Sequence, residues 1–410
     1  MTLVIAATIW RLLDCIIDNP LDHLFSDPKR HWNNALLFWT PNLMGGADPL
    51  MYQVYLYLVQ QLTGCNRLAI GIITGMLSAI MPWFYYKTVR EFEMSRFMSL
   101  VVWLLIAVIP SFWGLYNFFM METLLLPLTG LSLWMTGRYL RKQSFYPFMV
   151  MCASWGLCCL TKSSLVPVAA ISILYCLWCE NIKWRWLPAA MVLGIVLLLP
   201  NAIRTHKILG YSCPLGMPWI VKVIQRMETK HIEIYWNNEY WKFSSPSAYI
   251  MPFEPLNYWR IERGYNDLAT TVRIQSVNGE KDWIKAYKQL PFDFNVWWRG
   301  QKENLALLLF AQSWPESNYE TFKGRINYLN RWLWAPLIFL VLIGNIKYVR
   351  YANLNLIPIL TTILFLFFLL QPFALIEGRY RKPLESLLIM NLMWLVIQFV
   401  DKYRRKKHVP

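Results

Sequence analysis

Long apolar runs recur along the chain, each closed by a short polar stretch. Residues 67–86, 97–113, 187–200, 332–346, 354–376 and 383–400 approach or reach the roughly 20 residues that cross a bilayer as helix. Shorter runs between them extend the pattern. It predicts helices near 2–18, 67–87, 97–115, 120–137, 146–160, 165–180, 187–203, 332–347, 354–375 and 383–400, or about ten spans with both termini on one side. The first is interrupted by Arg11 and Asp14; their i,i+3 spacing allows a pair on one helix face, and a truncated first span is the alternative. The segment "MYQVYLYLVQQLTG" (51–64) is short and partly polar, which predicts a helix lying at the interface. The expected fold is therefore an all-α polytopic membrane protein.

Between 204 and 330 the pattern breaks. This stretch holds no clear span but many Trp, Tyr, Asn and Pro residues, and is expected to be one folded extracytoplasmic region of mixed structure. Near its end, "DWIKAYKQLPFDFNVWWRGQKENLALLLFAQSW" predicts two helices broken at Pro291. The implied division is an N-terminal membrane module 1–203 with a long outer loop 19–66, the region 204–330, and C-terminal helices with a basic tail at 331–410.

Composition agrees. Hydrophobic residues make up 56% of the 410 and charged ones 16%, against about 25% charged in soluble domains. Several closely spaced spans exclude a single cleaved signal peptide. The net charge of +16 raises nucleic acid as a partner, but its distribution points elsewhere. Lys87, Arg90 and Arg96, then Arg138, Arg141 and Lys142, then Lys183 and Arg185, then Lys347 and Arg350, and the tail "DKYRRKKHVP" all fall on one side of the alternating spans. The positive-inside bias accounts for them, and nucleic acid is excluded. The eight cysteines show no metal spacing, and most lie in apolar runs, where Cys behaves as a small hydrophobe.

The opposite side collects the polar residues that the topology does not explain. They are Asp27, His31 and Asp48 in the first outer loop, Glu122 in "FFMMETL", Lys162 in "LTKSS", Arg204 and His206 in "LPNAIRTHKILGY", and Arg379 and Arg381 in "IEGRYRKP". Acids and cations thus stand at span ends on one face. A carboxylate can take a proton from a hydroxyl, and Arg, Lys or His can neutralise a phosphate leaving group. Singly, each has a plainer reading. Asp27-Pro28 and Asp48-Pro49 fit helix caps, His31 fits a solvated loop, Lys162 fits a snorkelling lysine, and "RYR" fits an interfacial anchor.

The order of these motifs resembles GT-C-fold glycosyltransferases that use polyprenyl-phosphate sugars, similar to the protein O-mannosyltransferase, aminoarabinose transferase and rhizobial galacturonosyltransferase-like families. "SDPKRHWNNALLFW" followed by "ADPLMYQVYLYLVQQLTG", then "GLCCLTKSSLVPVAAISILY", "LLLPNAIRTHKILGY" and "IEGRYRKPLESLLIM", follow that family's sequence of segments. The resemblance implies that Asp27 is the catalytic base. It implies that Lys162, Arg204 and Arg379 or Arg381 face the carrier phosphate, with His31, Asp48, Glu122 and His206 in the same substrate site. Asp48 stands near a position where the family carries lysine. The implied activity is inverting transfer of a sugar from a polyprenyl-phosphate carrier to a hydroxyl of a glycan, lipid or protein acceptor. No cofactor or metal is implied beyond that donor. The implied location is a bacterial inner (plasma) membrane, with the active site on the extracytoplasmic side. The rivals are a lipid-carrier flippase or transporter, whose ionisable groups usually lie inside spans, and a non-catalytic assembly subunit.

Overall fold

A computed structural model of the chain describes residues 2–24, 26–39, 49–179, 183–209, 212–215, 234–236, 241–243, 270–272, 305, 308–309, 322–349, 355–370 and 381–407. Over the described residues, each of the ten apolar segments contains a helix. In chain order the helices are α1 (Thr2–Ile17), α2 (Ser26–Ala35), α3 (Leu50–Thr63), α4 (Arg67–Glu91), α5 (Arg96–Val108), α6 (Pro110–Trp113), α7 (Met121–Lys142), α8 (Phe145–Thr161), α9 (Val166–Trp178), α10 (Leu187–Leu209), α11 (Phe322–Val349), α12 (Leu356–Leu369) and α13 (Lys382–Lys407). Within 204–330 three short strands, Ile234–Trp236, Trp241–Phe243 and Thr270–Val272, form an antiparallel sheet with the first strand central. Of the expected helix pair around Pro291, residues 305 and 308–309 are described and the rest lies outside the described residues.

The helix boundaries follow from local chemistry. Asn66, Ser95 and Asn355 each place a side-chain oxygen on a first-turn amide, at 3.1, 3.2 and 3.1 Å, and so start α4, α5 and α12. Gly64, at φ +55°, ends α3 in the left-handed region. The N-cap of α3 is Pro49, so the helix starts one residue later than a cap at Asp48 would have it. Asp48 itself lies outside the described residues.

Among the described helices, Arg67–Glu91, Trp184–Lys207 and Lys382–Asp401 are long and apolar enough to cross a membrane alone. Arg96–Val108 and Pro110–Asn117 together make a fourth, bent by 65°. The helices turn apolar side chains outward, as lipid contact requires. On α10, Met191, Val192, Ile195, Val196 and Leu199 are 50–67% exposed. This is a helical membrane protein.

Small residues let its central helices approach closely. A Cβ on Gly71 would stand 2.8 Å from the Cys15 carbonyl, and one on Gly75 would stand 2.8 Å from that of Leu12. The four-residue spacing of these glycines on α4 is a helix-contact pattern used in membranes, and α1 lies in the resulting groove. Gly130 of α7 receives Phe84 and Tyr85 of α4 in the same way, and Tyr85 Oη donates to the Leu126 carbonyl at 2.9 Å. Arg11, whose spacing allows a pair with Asp14, donates to backbone carbonyls of Ser78 (2.8 Å) and Ala107 (3.0 Å) on α4 and α5.

Candidate active site

Helix α2 carries "SDPKRHWNNA" and packs against α3. Asp27 sits in its first turn, where the positive end of the helix favours an acid. Its carboxylate forms an ion pair with Arg30, one turn on. His31 is fully buried, with its ring edge-on to Tyr52 of α3 at 5.3 Å. The structure thus seats His31 in a helix seam, where α3 covers it, and not in a wet loop. Trp32 stacks on Phe119 at 4.5 Å and 18°, and Gln60 Nε2 donates to the Trp32 carbonyl at 2.8 Å. Ala35, Tyr52, Leu56, Phe119 and Leu124 pack into one apolar cluster beneath. These contacts fix the helix bearing Asp27 to the residues just before Glu122.

Glu122 and Lys162 meet directly. Lys162 Nζ donates to Glu122 Oε1 at 2.6 Å, and the two side chains are only 8% and 0% exposed. The pairing follows from helix geometry. Glu122 occupies the first turn of α7, Lys162 is the C-cap of α8, and these two helices pack against each other. An acid at a positive helix end and a base at a negative one are each favoured locally, and antiparallel packing brings those two ends together. Spacing alone named both residues but did not join them. The usable signal was an acid opening one apolar helix and a lysine closing the next.

Arg204 is buried near the end of α10, which packs along α8, whereas His206 is exposed. Lys207, which the sequence did not single out, stands over the Trp39 ring at 6.0 Å. The end of α10 therefore lies beside the residues that follow α2. Thr205 Oγ1 accepts from the Cys213 amide at 2.7 Å, and Asn201 Nδ2 donates to the Pro214 carbonyl at 2.9 Å, folding 212–215 back onto the helix.

Arg381 is placed differently. It is fully buried, with Nε on Glu385 Oε1 at 2.9 Å and Nη1 on the Leu308 carbonyl at 2.6 Å. Trp334 lies under its guanidinium at 5.8 Å. Glu385, absent from the sequence-derived set, was marked by its i,i+4 position relative to Arg381. Arg379 lies outside the described residues.

Residues 47–203 match a family model described as dolichyl-phosphate-mannose-protein mannosyltransferase. Over that segment the chain is similar to GT-C-type glycosyltransferases. The resemblance seen in the motifs is thereby supported where it is most testable, from α3 into α10. The matched stretch contains Glu122 and Lys162 and stops one residue before Arg204; Asp27 and Arg381 lie outside it. No curated protein and no solved structure gives a significant match.

Proposed function

We propose that the protein is an integral-membrane inverting glycosyltransferase of about ten spans, moving a sugar from a polyprenyl-phosphate carrier to an acceptor hydroxyl on the extracytoplasmic face. The observation that carries this reading is the buried Glu122–Lys162 pair at 2.6 Å, inside the family-matching segment and just after Phe119, on which Trp32 of the Asp27-bearing helix stacks. In this mechanism Asp27 takes the proton of the acceptor hydroxyl as its oxygen attacks the anomeric carbon. The bond to the carrier phosphate breaks on the opposite side, so the anomeric configuration inverts. Lys162, held in place by Glu122, and Arg204 meet the charge that develops on the departing phosphate. Arg30 holds the Asp27 carboxylate in orientation until the acceptor arrives. His31 contributes by anchoring α2 on Tyr52.

The bent span formed by α5 and α6 favours a second reading, since broken helices mark substrate paths in carriers. One experiment separates the two. The purified full-length protein in lipid nanodiscs or vesicles is given a radiolabelled polyprenyl-phosphate sugar and an acceptor glycan. Sugar appearing on the acceptor supports transfer. Movement of intact donor between leaflets without transfer supports a flippase and removes the proposed mechanism.

A further inference from the structure

The third apolar segment is broken inside the helix bundle, and cations from distant parts of the chain brace the break from both sides. Pro110 has no N–H, and Ile109 before it is extended, so α5 stops at Val108 and α6 departs at 65°. A helix that ends among apolar neighbours leaves carbonyls that need donors. Arg11 Nη1 reaches those of Ala107 and Ile106 at 3.0 and 3.4 Å, and Trp113 Nε1 reaches that of Val108 at 3.0 Å. Beyond the break, Lys382 Nζ donates to the Ser111 carbonyl, and Ser111 Oγ donates to Glu385 Oε2 at 3.0 Å. Arg11, Arg381, Lys382 and Glu385 are all 0% exposed.

Glu385 already has Arg381 as its ion-pair partner, so Lys382 adds a second buried cation whose described contact is a backbone carbonyl. A buried ammonium is a costly way to satisfy one carbonyl; what it adds is a firm hold on the first turn of α6. The consequence runs down the chain. After α6 comes the 3-10 turn Gly114–Asn117, where Asn117 Nδ2 donates to the Asp14 and Asp18 carbonyls at 3.2 and 2.6 Å. Phe119 then stacks on Trp32, and Glu122 follows in the first turn of α7. The geometry points to Lys382 as a positioning residue: by fixing α6 at the break it sets where Phe119 and Glu122 stand, and through Phe119 where α2 sits. Its effect on transfer rests on the proposed function, while its effect on the position of Phe119 does not.

Two measurements on the full-length protein in nanodiscs test this. In the first, His23→Cys and Phe118→Cys, at rings 4.5 Å apart, are linked by a short bifunctional thiol reagent with the Trp32–Phe119 stack left intact, and the 23–118 link is quantified by mass spectrometry. Adding Lys382→Met lowers the yield several-fold, and Lys382→Arg restores it. An unchanged yield with Lys382→Met overturns the proposal. Should that variant fail to fold, Lys382→Gln carries the same test with the same expected direction. In the second, Lys382→Met lowers kcat about tenfold, the scale of a misplaced catalytic group, and changes donor KM little. Combined with Glu122→Gln, it causes no further fall beyond Glu122→Gln alone. Additive losses would make Lys382 a general support of the fold and overturn its positioning role. If the wild-type protein transfers no sugar, the proposed function fails, and the cross-link yield still decides the placement of Phe118 and Phe119.

Discussion

Two buried clusters set a glutamate against basic side chains, and they differ in where their charges sit and in what they hold. Glu122 and Lys162 form an ion pair in which each charge sits at the helix end that favours it. Arg381, Lys382 and Glu385 gather at the start of α13, where the helix's positive end disfavours the two cations. That second cluster is held instead by hydrogen bonds to the Ser111 and Leu308 carbonyls and by the Trp334 ring. A phosphate could compete with Glu122 for Lys162, because a side-chain ion pair can exchange partners. The donors of Arg381 and Lys382 reach to backbone and to Glu385, which suits a brace. Charge at a helix end is thus not a functional signal until its partners are known.

The sharpest way to break this contrast is to remove one member of each cluster. Lys162→Met should lower transfer by on the order of 10²–10³-fold, as loss of a transition-state charge partner does. It should also destabilise the protein by about 3–5 kcal/mol, because Glu122 is left buried without its cation. The double variant Glu122→Gln/Lys162→Met should recover much of the thermal stability and none of the transfer. Recovery of both would make the pair purely structural. Glu385→Gln comes next, with a loss of about 3 kcal/mol in thermal unfolding, and Lys382→Met added to it should return part of that loss by removing a buried cation that Glu385 no longer offsets. A further loss in the double variant would mean that charge balance does not govern this cluster.

Gly75→Leu forces a side chain against the Leu12 carbonyl and should cost roughly 1–3 kcal/mol, without altering the donor KM of the folded fraction. A shift in KM would show that the α1–α4 seam reaches the site. The smallest effect lies at Asp22, whose carboxyl is held below the usual carboxylate range chiefly by a hydrogen bond from the exposed Arg67 guanidinium. A lowered folded pKa stabilises above the unfolded value, and that contribution disappears as pH falls through the folded one. Asp22→Asn should therefore lower stability slightly at neutral pH and flatten its dependence below about pH 4. Thermal unfolding measured across pH checks the slope.

The helices were legible because apolar length and capping residues act locally. Over the described residues every expected apolar segment contains a helix, and Asn66 and Asn355 start helices where their side chains permit. Contacts between segments were less legible. "GIITG" on α4 marks a close helix contact, but which helix fills the groove depends on packing. Arg11 was read beside Asp14, its neighbour on one face; its described donors go to carbonyls, two of which belong to the helix end that Pro110 creates far along the chain. His31 looked like a loop residue because nothing nearby in sequence covers it; Tyr52 does so from α3. Glu122 and Lys162 were each visible as odd charges at span ends, and only antiparallel packing of α7 on α8 joins them.

The central claim is that the site built from α2, Glu122 and Lys162 transfers sugar, with Asp27 as the base. The direct measurement is the rate of sugar transfer from a radiolabelled polyprenyl-phosphate donor by the wild-type protein and by Asp27→Asn, each shown to be folded by thermal unfolding. The account predicts transfer by the wild-type protein and a fall of about 10²–10⁴-fold in Asp27→Asn, the range for losing a general base, with donor binding retained. Transfer by Asp27→Asn at the wild-type rate would contradict it.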